Sequence, residues 1–140
     1  MIARSILAVL SGSAFIAACP PGTSSSQSSA QPVRIGLDGP ELDACGGIGK
    51  VVRIGLTRER TLAVRGEPAP RGKELARLES GTLVWLCEGA DDYQGIVYAS
   101  GQFQDLGDCR VSSPVREPED YTGPCKQGWV EAKYIDLVAG

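Results

Sequence analysis

The stretch LAVRGEPAPRGKELARLESGTLVWLC, residues 62–87, decides the fold of this chain. Val64 and the run LVWL at residues 83–86 have the β-branched and aromatic content of β-strands. The loop between them is rich in proline, glycine and charge, and four of its residues forbid a helix there: Gly66, Pro68, Pro70 and Gly72. The stretch therefore predicts two strands joined by a long loop, within an all-β domain.

Segments on either side continue this pattern. Residues 52–56 (VRIGL) alternate apolar and polar positions, as a half-buried strand does, whereas residues 83–86 are apolar on both faces, which predicts a central strand. Residues 95–98 (GIVY) follow a turn-like Gly-Ala-Asp-Asp and should pair with that central strand as a hairpin. Residues 128–137 alternate and predict one closing strand. Residues 74–78 (ELARL) permit a single turn of helix.

Three motifs in this order resemble the bacterial SH3 (SH3b) family. They are residues 62–68 (LAVRGEP), residues 78–84 (LESGTLV) and residues 128–134 (GWVEAKY). The resemblance covers residues 46–138 and implies a small SH3-like barrel in which the closing strand pairs with the first strand, at residues 52–56. Residues 100–126 are an insertion that a minimal SH3b domain lacks. SH3b relatives bind cell-wall peptides or protein partners, so the resemblance implies a binding module.

The N-terminus has the features of an export signal. Residues 1–18 carry one early positive charge, Arg4, followed by an apolar run interrupted by Ser-Gly-Ser, which is typical of a signal peptide. The run is shorter than the roughly 20 apolar residues that a spanning helix needs. Residues 16–19 (IAAC) resemble the bacterial lipobox, which implies that Cys19 is lipidated and begins the mature protein. The alternative is an ordinary signal peptide cut nearby, with Cys19 left as a spare thiol.

Residues 19–44 are predicted to be a lipidated cysteine followed by a flexible linker, and residues 45–140 to be the folded domain. Residues 20–32 (PPGTSSSQSSAQP) contain no large apolar side chain that could offset the entropy of ordering. A first copy of VRIGL at residues 33–37 lies among glycine and proline, so it is either linker or an added edge strand. The residue after Cys19 is Pro20. In lipoproteins of enteric bacteria, an aspartate at this position is the signal for retention in the inner membrane. That resemblance favours the outer membrane, with the domain facing the periplasm.

The cysteines indicate disulfide bonds. The chain has five, and acylation of Cys19 leaves four, an even number that in an oxidising compartment indicates two disulfides. Three pairings are possible and the sequence does not decide among them. We favour Cys45 with Cys87 and Cys109 with Cys125, because the second pair would close the long insertion onto itself. No pair has CxxC spacing and the chain has no histidine, so a metal site is not predicted.

Composition also restricts the chemistry. The absence of histidine excludes Ser-His-Asp and Cys-His nucleophile systems and the commonest general base. Adjacent carboxylates such as Asp91 and Asp92 are more typical of a solvated surface, and GGIGK at residues 46–50 lacks phosphate-loop spacing. Loss of Arg4 with the signal leaves 13 basic and 17 acidic residues, a net charge of −4, which argues against nucleic acid as a partner. We therefore predict no catalytic residue, no cofactor and no enzyme activity.

The seven aromatic residues of the mature chain all lie between residues 85 and 134. The expected ligand groove lies between the loop at residues 66–72 and the insertion. Aromatic rings can line a groove for an extended peptide or a sugar face, or they can be core. The predicted groove residues are three rings and two charged side chains that would orient an end group: Tyr98, Tyr121, Trp129, Arg65 and Glu67.

The predicted function is a monomeric, membrane-anchored binding module for peptidoglycan or an envelope protein. The alternative is a lysozyme-inhibitor-like protein that docks the loop at residues 109–125 into a periplasmic or host enzyme, or a purely structural envelope lipoprotein. The small, disulfide-bonded and acidic chain fits a protein that binds a basic enzyme.

Overall fold

The structure, a computed structural model, describes residue 18, residues 30–56 and residues 60–140. These residues form β-strands and short 3-10 helices, with no α-helix in the described ranges, which confirms the all-β prediction. The 3-10 helices are Ile54–Leu56, Leu106–Cys109 and Ala132–Tyr134. The strands are β1 (Arg34–Ile35), β2 (Gly47–Val51), β3 (Thr61–Arg65), β4 (Glu74–Glu79), β5 (Leu83–Ala90), β6 (Tyr93–Tyr98), β7 (Glu119–Asp120), β8 (Lys126–Glu131) and β9 (Ile135–Ala139).

Seven of these strands form one antiparallel sheet in the order β4-β3-β8-β6-β5-β2-β9. β5 lies between β6 and β2, so the prediction of a central strand at residues 83–86 is confirmed. The predicted hairpin of β5 with β6 is also present, and Asp91 in its turn has a left-handed φ of 51°. β1 and β7 form a separate two-stranded sheet. The end strands β4 and β9 are not neighbours in this order, so the sheet is open at the level of strand pairing.

Two hydrophobic clusters lie on the two faces of the sheet, because successive side chains of a strand point to opposite sides. In β8, for example, Trp129 and Val130 belong to different clusters. The insertion cluster contains both disulfides and consists of Val33, Ile35, Ala44, Cys45, Trp85, Cys87, Tyr93, Val97, Cys109, Val111, Tyr121, Cys125 and Trp129. The sheet cluster consists of Val51, Ile54, Leu62, Val64, Leu78, Val84, Ile96, Tyr98 and Val130.

The disulfides are Cys45 with Cys87 and Cys109 with Cys125, the two pairs favoured from the sequence. The second pair spans 16 residues and closes the insertion, an effect worth about 3 kcal/mol in the chain-entropy model. Tyr121 braces the same closure, since its hydroxyl donates to the Cys109 carbonyl at 2.9 Å and accepts from the Cys125 N–H at 3.0 Å. The insertion is therefore a packed part of the domain.

The strand predicted at residues 52–56 is wrong. β2 ends at Val51, Arg53 has a φ of 60°, and Ile54–Leu56 form a 3-10 helix. The turn brings Ile54 into the sheet cluster, where its side chain is buried. The strand that pairs with the C-terminal strand is accordingly β2 rather than residues 52–56.

Two other local predictions are also corrected. Residues 74–78 are not a helical turn but part of β4, which pairs with β3 from Glu74 to Glu79 with one register shift at Leu75. Pairing with a neighbouring strand outweighs a spacing that would permit one turn of helix. The predicted closing strand at residues 128–137 is two strands, because β8 pairs with β3 and β6 whereas β9 pairs with β2. The Ala132–Tyr134 helix redirects the chain between these partners.

The folded part begins earlier than residue 45. Val33, Ile35 and Ala44 are all buried in the insertion cluster, so the C-terminal part of the predicted linker belongs to the domain. β1 corresponds to the edge-strand alternative for residues 33–37, although it pairs with β7 and not with the main sheet. Residues 1–17 of the predicted signal peptide, Cys19 and residues 20–29 of the predicted linker lie outside the described residues. No helix among the described residues is long and apolar enough to cross a membrane.

Candidate functional site

Residues 30–35, here called the strap, run in an extended form across the insertion cluster. The Gln31 N–H donates to the Gly66 carbonyl at 2.7 Å, and the indole N–H of Trp129 donates to the Gln31 carbonyl at 2.8 Å. The side-chain oxygen of Gln127 accepts from the Val33 N–H at 2.8 Å. All three bonds use main-chain N–H or carbonyl groups of the strap, so the domain holds the strap without contacting its side chains through these bonds.

The C-terminal half of the strap has equally specific partners. The Val33 carbonyl accepts from the Tyr121 N–H at 2.8 Å, and the Arg34 N–H donates to the Glu88 carboxylate at 2.8 Å. The Gln127 amide is oriented by a second bond, because its nitrogen donates to the Tyr121 carbonyl at 2.7 Å. Gln127 of β8 is thereby bonded both to the strap, at Val33, and to the insertion, at Tyr121.

The local sequence favours this extended path. Pro32 has no N–H and disfavours the helical region for Gln31, the residue before it. Val33 and Ile35 then alternate with the exposed Arg34, so both apolar side chains face the insertion cluster. Gly95 permits the close packing of Val33, since a Cβ there would lie 3.0 Å from Val33 Cγ1. The same Cβ would lie 3.2 Å from Cζ3 of Trp129.

A cleft of about 180 Å³, here called the strap-end cleft, opens where the strap begins. Its lining is Ala30, Gln31, Pro32, Gly66, Leu75, Gln127 and Gly128. Leu75 is 47% exposed and supplies the largest apolar side chain of this lining. Gly128 allows β8 to approach β3, because a Cβ there would clash with Val64 and lie 2.9 Å from the Arg65 carbonyl oxygen.

Basic residues flank this cleft although the chain as a whole is acidic. Lys73 is fixed beside Gly66 by the bond from the Gly66 N–H to the Lys73 carbonyl at 2.8 Å. Arg71 lies in the same loop and Lys126 precedes Gln127 in the chain; all three basic side chains are exposed. Of the acidic residues beside the same lining, Glu74 is paired with Arg77 at 2.7 Å and Glu67 is half-buried, so the exposed basic side chains favour a ligand that carries carboxylates.

Arg65 and Glu67 stabilise the β3–β4 loop next to the cleft. The Arg65 guanidinium donates to the Gly72 carbonyl at 3.1 Å. Glu67 is half-buried against Gly72, where an added Cβ would lie 2.8 Å from Glu67 Cγ. Both residues are neighbours in the chain of Gly66, which lines the cleft. Their role in orienting a charged end group stays a prediction.

The three rings predicted to line the groove are buried, so that prediction is wrong for them. Trp129, Tyr121 and Tyr98 expose 0%, 3% and 4% of their surface. Trp129 and Tyr121 pack in the insertion cluster, whereas Tyr98 lies on the opposite face in the sheet cluster. Strand alternation separates Tyr98 from the other two, and the strap covers Trp129. Burial also raises the pKa of the Tyr98 and Tyr121 hydroxyls.

Sequence reasoning missed the residues that hold the strap. Gln127 and Glu88 carry no motif, and their roles depend on contacts 94 and 54 residues away along the chain. The strap, by contrast, is recognisable in the sequence. Gln-Pro followed by alternating Val33 and Ile35 indicates an extended segment with one apolar face.

No protein-family model, curated protein or solved structure matches this chain. Within the described ranges, no group of three or more cysteine, aspartate, glutamate or histidine side chains is placed to hold a metal ion. The strap and the strap-end cleft are the candidate site, because five hydrogen bonds fix the strap beside the cleft.

Proposed function

We propose that this protein is a non-enzymatic binding module of the bacterial cell envelope, with an SH3b-like barrel as its domain. Lipidated Cys19 anchors it to the outer membrane, and the domain faces the periplasm. It binds extended peptides of the cell wall or of an envelope protein at the strap-end cleft. One observation carries this proposal: the domain holds an extended peptide, its own strap, by main-chain hydrogen bonds beside an open apolar cleft.

The sheet cluster supports the barrel. It collects Val51 from β2, Val64 from β3 and Leu78 from β4, and Ile135 of β9 packs against it. Strands from both ends of the sheet thus share one interior, as they do in a small closed barrel. The resemblance implies that the closing strand pairs with residues 52–56, whereas β9 pairs with β2, the strand that directly precedes them.

The chemistry of the cleft supports a cell-wall peptide as ligand. Peptidoglycan stem peptides are short and extended, and they combine small apolar side chains with free carboxylates. Leu75 would contact the apolar part, and the exposed Arg71 and Lys73 would face the carboxylates. Such a basic rim adds mainly specificity and association rate, whereas the desolvated apolar contact supplies affinity.

Binding to intact sacculi tests this function. We expect the secreted chain to be retained by sacculi, and Leu75→Ser to weaken retention roughly tenfold if Leu75 is an anchor. Leu83→Ser is the matched control, because Leu83 is 45% exposed against 47% for Leu75 and lies outside the cleft. Equal retention of the two variants would remove the cleft from the site. No retention of the parent chain would remove the cell wall as ligand.

Lipidation has its own test. Mass spectrometry of the protein from its host should show a large acyl mass on an N-terminal Cys19, and Cys19→Ser should lack it. An unmodified Cys19 thiol would contradict the anchor.

A second candidate function, inhibition of a basic enzyme such as a lysozyme, is favoured by one surface feature. Phe103 is 99% exposed at the start of the insertion. Gln104 fixes the loop beneath it, accepting from the Ser100 N–H at 2.8 Å and donating to the Pro124 carbonyl at 3.1 Å. An exposed aromatic side chain on a loop that is held by hydrogen bonds is typical of a residue that anchors a protein–protein interface.

Lysozyme inhibition assays distinguish this candidate from the first. Inhibition that Phe103→Ser abolishes, together with no retention on sacculi, would reverse the ranking. Leu137→Ser is the control, since Leu137 is 68% exposed in β9, outside the insertion. Absence of inhibition by the parent chain would dismiss the second candidate.

A further inference from the structure

We propose that residues 30–32 occupy a peptide site of this domain in cis, and that an X-Pro peptide of another protein binds there when they leave. This inference rests on the proposed function and names its ligand class. X stands for any residue, because the site bonds only to its backbone N–H and carbonyl. The proline that follows keeps X in an extended conformation.

The two halves of the strap differ in burial. Ala30, Gln31 and Pro32 are exposed, whereas Val33 is completely buried and Ile35 nearly so. The second half is therefore part of the insertion cluster and stays in place. Two main-chain bonds at Gln31 hold the first half, which also lines the cleft. A hinge at Pro32 would release the first half without opening the core.

The site forms hydrogen bonds with the backbone N–H and carbonyl of a single residue. The Gly66 carbonyl accepts the Gln31 N–H, and the Trp129 indole donates to the carbonyl of the same Gln31. Every non-proline residue has both groups, so this pair selects no side chain. Because Trp129 is fully buried, its indole N–H is held at a fixed position and direction. Extended peptides with proline are bound at low entropic cost, since proline restricts its own backbone and that of the preceding residue.

Competition between the two occupants determines the apparent affinity. The tethered segment acts at an effective concentration in the millimolar range, so it excludes dilute peptides but not concentrated or polymeric ones. Losing one of its two hydrogen bonds should shift this competition about fivefold, the factor that a net bond energy of about 1 kcal/mol sets.

The two indole N–H groups of the chain allow a direct test by ¹H-¹⁵N NMR on the full secreted chain. Trp129 donates to Gln31, whereas Trp85 donates to the Leu106 carbonyl at 2.9 Å and serves as internal control. The probe is the peptide acetyl-Ala-Phe-Pro-amide. It has no residue at the position of the retained Val33, and its ring would shift the signal of the neighbouring Trp129 indole N–H when it replaces Gln31. We expect it to shift the Trp129 indole signal to saturation and to leave the Trp85 signal unchanged.

A matched peptide and two variants sharpen this experiment. The same peptide with N-methylated phenylalanine cannot donate to the Gly66 carbonyl and should not bind. Gln31→Pro removes the corresponding N–H of the chain itself and should tighten binding of the probe about fivefold. Gln31→Ala keeps the main-chain bonds and should bind like the parent. If the Trp85 signal of Gln31→Pro shows misfolding, the N-methyl comparison on the parent chain decides.

An unchanged Trp129 signal at about 10 mM probe, above the effective concentration of the tethered segment, would overturn the inference. Equal shifts with the N-methylated peptide would overturn it as well. These failures are separable from failure of the proposed function. Leu75-dependent retention on sacculi without probe binding would leave the function standing and remove the cis-occupied site. Probe binding without retention would leave the cis-occupied site standing and remove the cell wall as ligand.

Discussion

The pentapeptide VRIGL occurs at residues 33–37 and again at residues 52–56, and the two copies have different structures. In the first copy Arg34–Ile35 is a strand, β1, paired with β7. In the second copy Arg53 has a φ of 60° and Ile54–Leu56 is a 3-10 helix. Since the five residues are identical, their environment decides the difference.

The first copy is held extended from both sides. Pro32 precedes it, and Val33 and Ile35 face the insertion cluster. In the second copy the Val52 N–H donates to the Tyr134 carbonyl at 2.8 Å. The Arg53 guanidinium donates twice to the Lys133 carbonyl, at 3.1 and 2.9 Å. Both isoleucines are buried, but in different clusters, whereas only the first valine is fully buried. An apolar pattern thus demands burial without determining the backbone path that achieves it.

Truncation of the two isoleucines should give the largest effects. Ile54→Ala should lower the free energy of unfolding by about 3 kcal/mol, because it leaves a cavity in the sheet cluster. Ile35→Ala should cost about 2 kcal/mol, since it lies on the strap, which can adjust to the lost volume. Urea unfolding with the disulfides intact measures both. A larger loss at Ile35 would show that the strap is the more rigid region.

Truncation of the two valines should give the clearer difference in free energy of unfolding between the two VRIGL copies. Val33→Ala should cost about 1.5 kcal/mol, because Val33 is completely buried over Gly95. Val52→Ala should cost no more than about 0.5 kcal/mol, since that side chain is half-exposed. Equal losses in urea unfolding would contradict the different environments of the two copies.

Alkaline pH should destabilise both clusters through their tyrosines. Burial raises the pKa of Tyr121 in the insertion cluster and of Tyr98 in the sheet cluster. The folded protein therefore binds these protons more tightly than the unfolded chain, whose tyrosine pKa is about 10. The stabilisation is complete below that pH and is lost as pH rises through the folded values.

Unfolding at a series of pH values between neutral and strongly alkaline measures this loss. Tyr98→Phe should flatten the fall, because phenylalanine keeps the ring and removes the titrating hydroxyl. A slope unchanged in this variant would assign the loss to other groups. Tyr121→Phe is less clean as a control because it also removes hydrogen bonds to Cys109 and Cys125.

The ion pair of the second copy should have the smallest effect. Arg53 contacts Asp136 at 2.8 Å, with side-chain exposures of 52% and 51%. Asp136→Asn should change the free energy of unfolding by no more than about 0.5 kcal/mol, and less at high salt. A loss above about 1 kcal/mol would show that the pair, rather than the carbonyl of Lys133, holds the turn.

The candidate site was the least predictable part of the molecule. Local composition predicts a site between the loop at residues 66–72 and the insertion. In the structure Gly66 lines the cleft, and Tyr121 of the insertion bonds to Val33 of the strap. Tyr98, Tyr121 and Trp129 were placed on the surface because a tyrosine or tryptophan is equally suited to core and groove. Their burial depends on the strap and on which side of each strand they occupy, and neither is encoded locally.

Local sequence patterns were sufficient to predict the all-β class, the central strand at residues 83–86 and its hairpin with residues 95–98. Strand content and turn residues are local properties, so short windows suffice for them. The cysteine count of the chain indicated two disulfides. Tertiary structure alone decided that residues 74–78 are strand, that the C-terminal segment divides into β8 and β9, and that the two VRIGL copies differ. The reason is that these outcomes depend on hydrogen-bond partners and buried surfaces from distant segments, such as Gln127 for Val33 and Lys133 for Arg53.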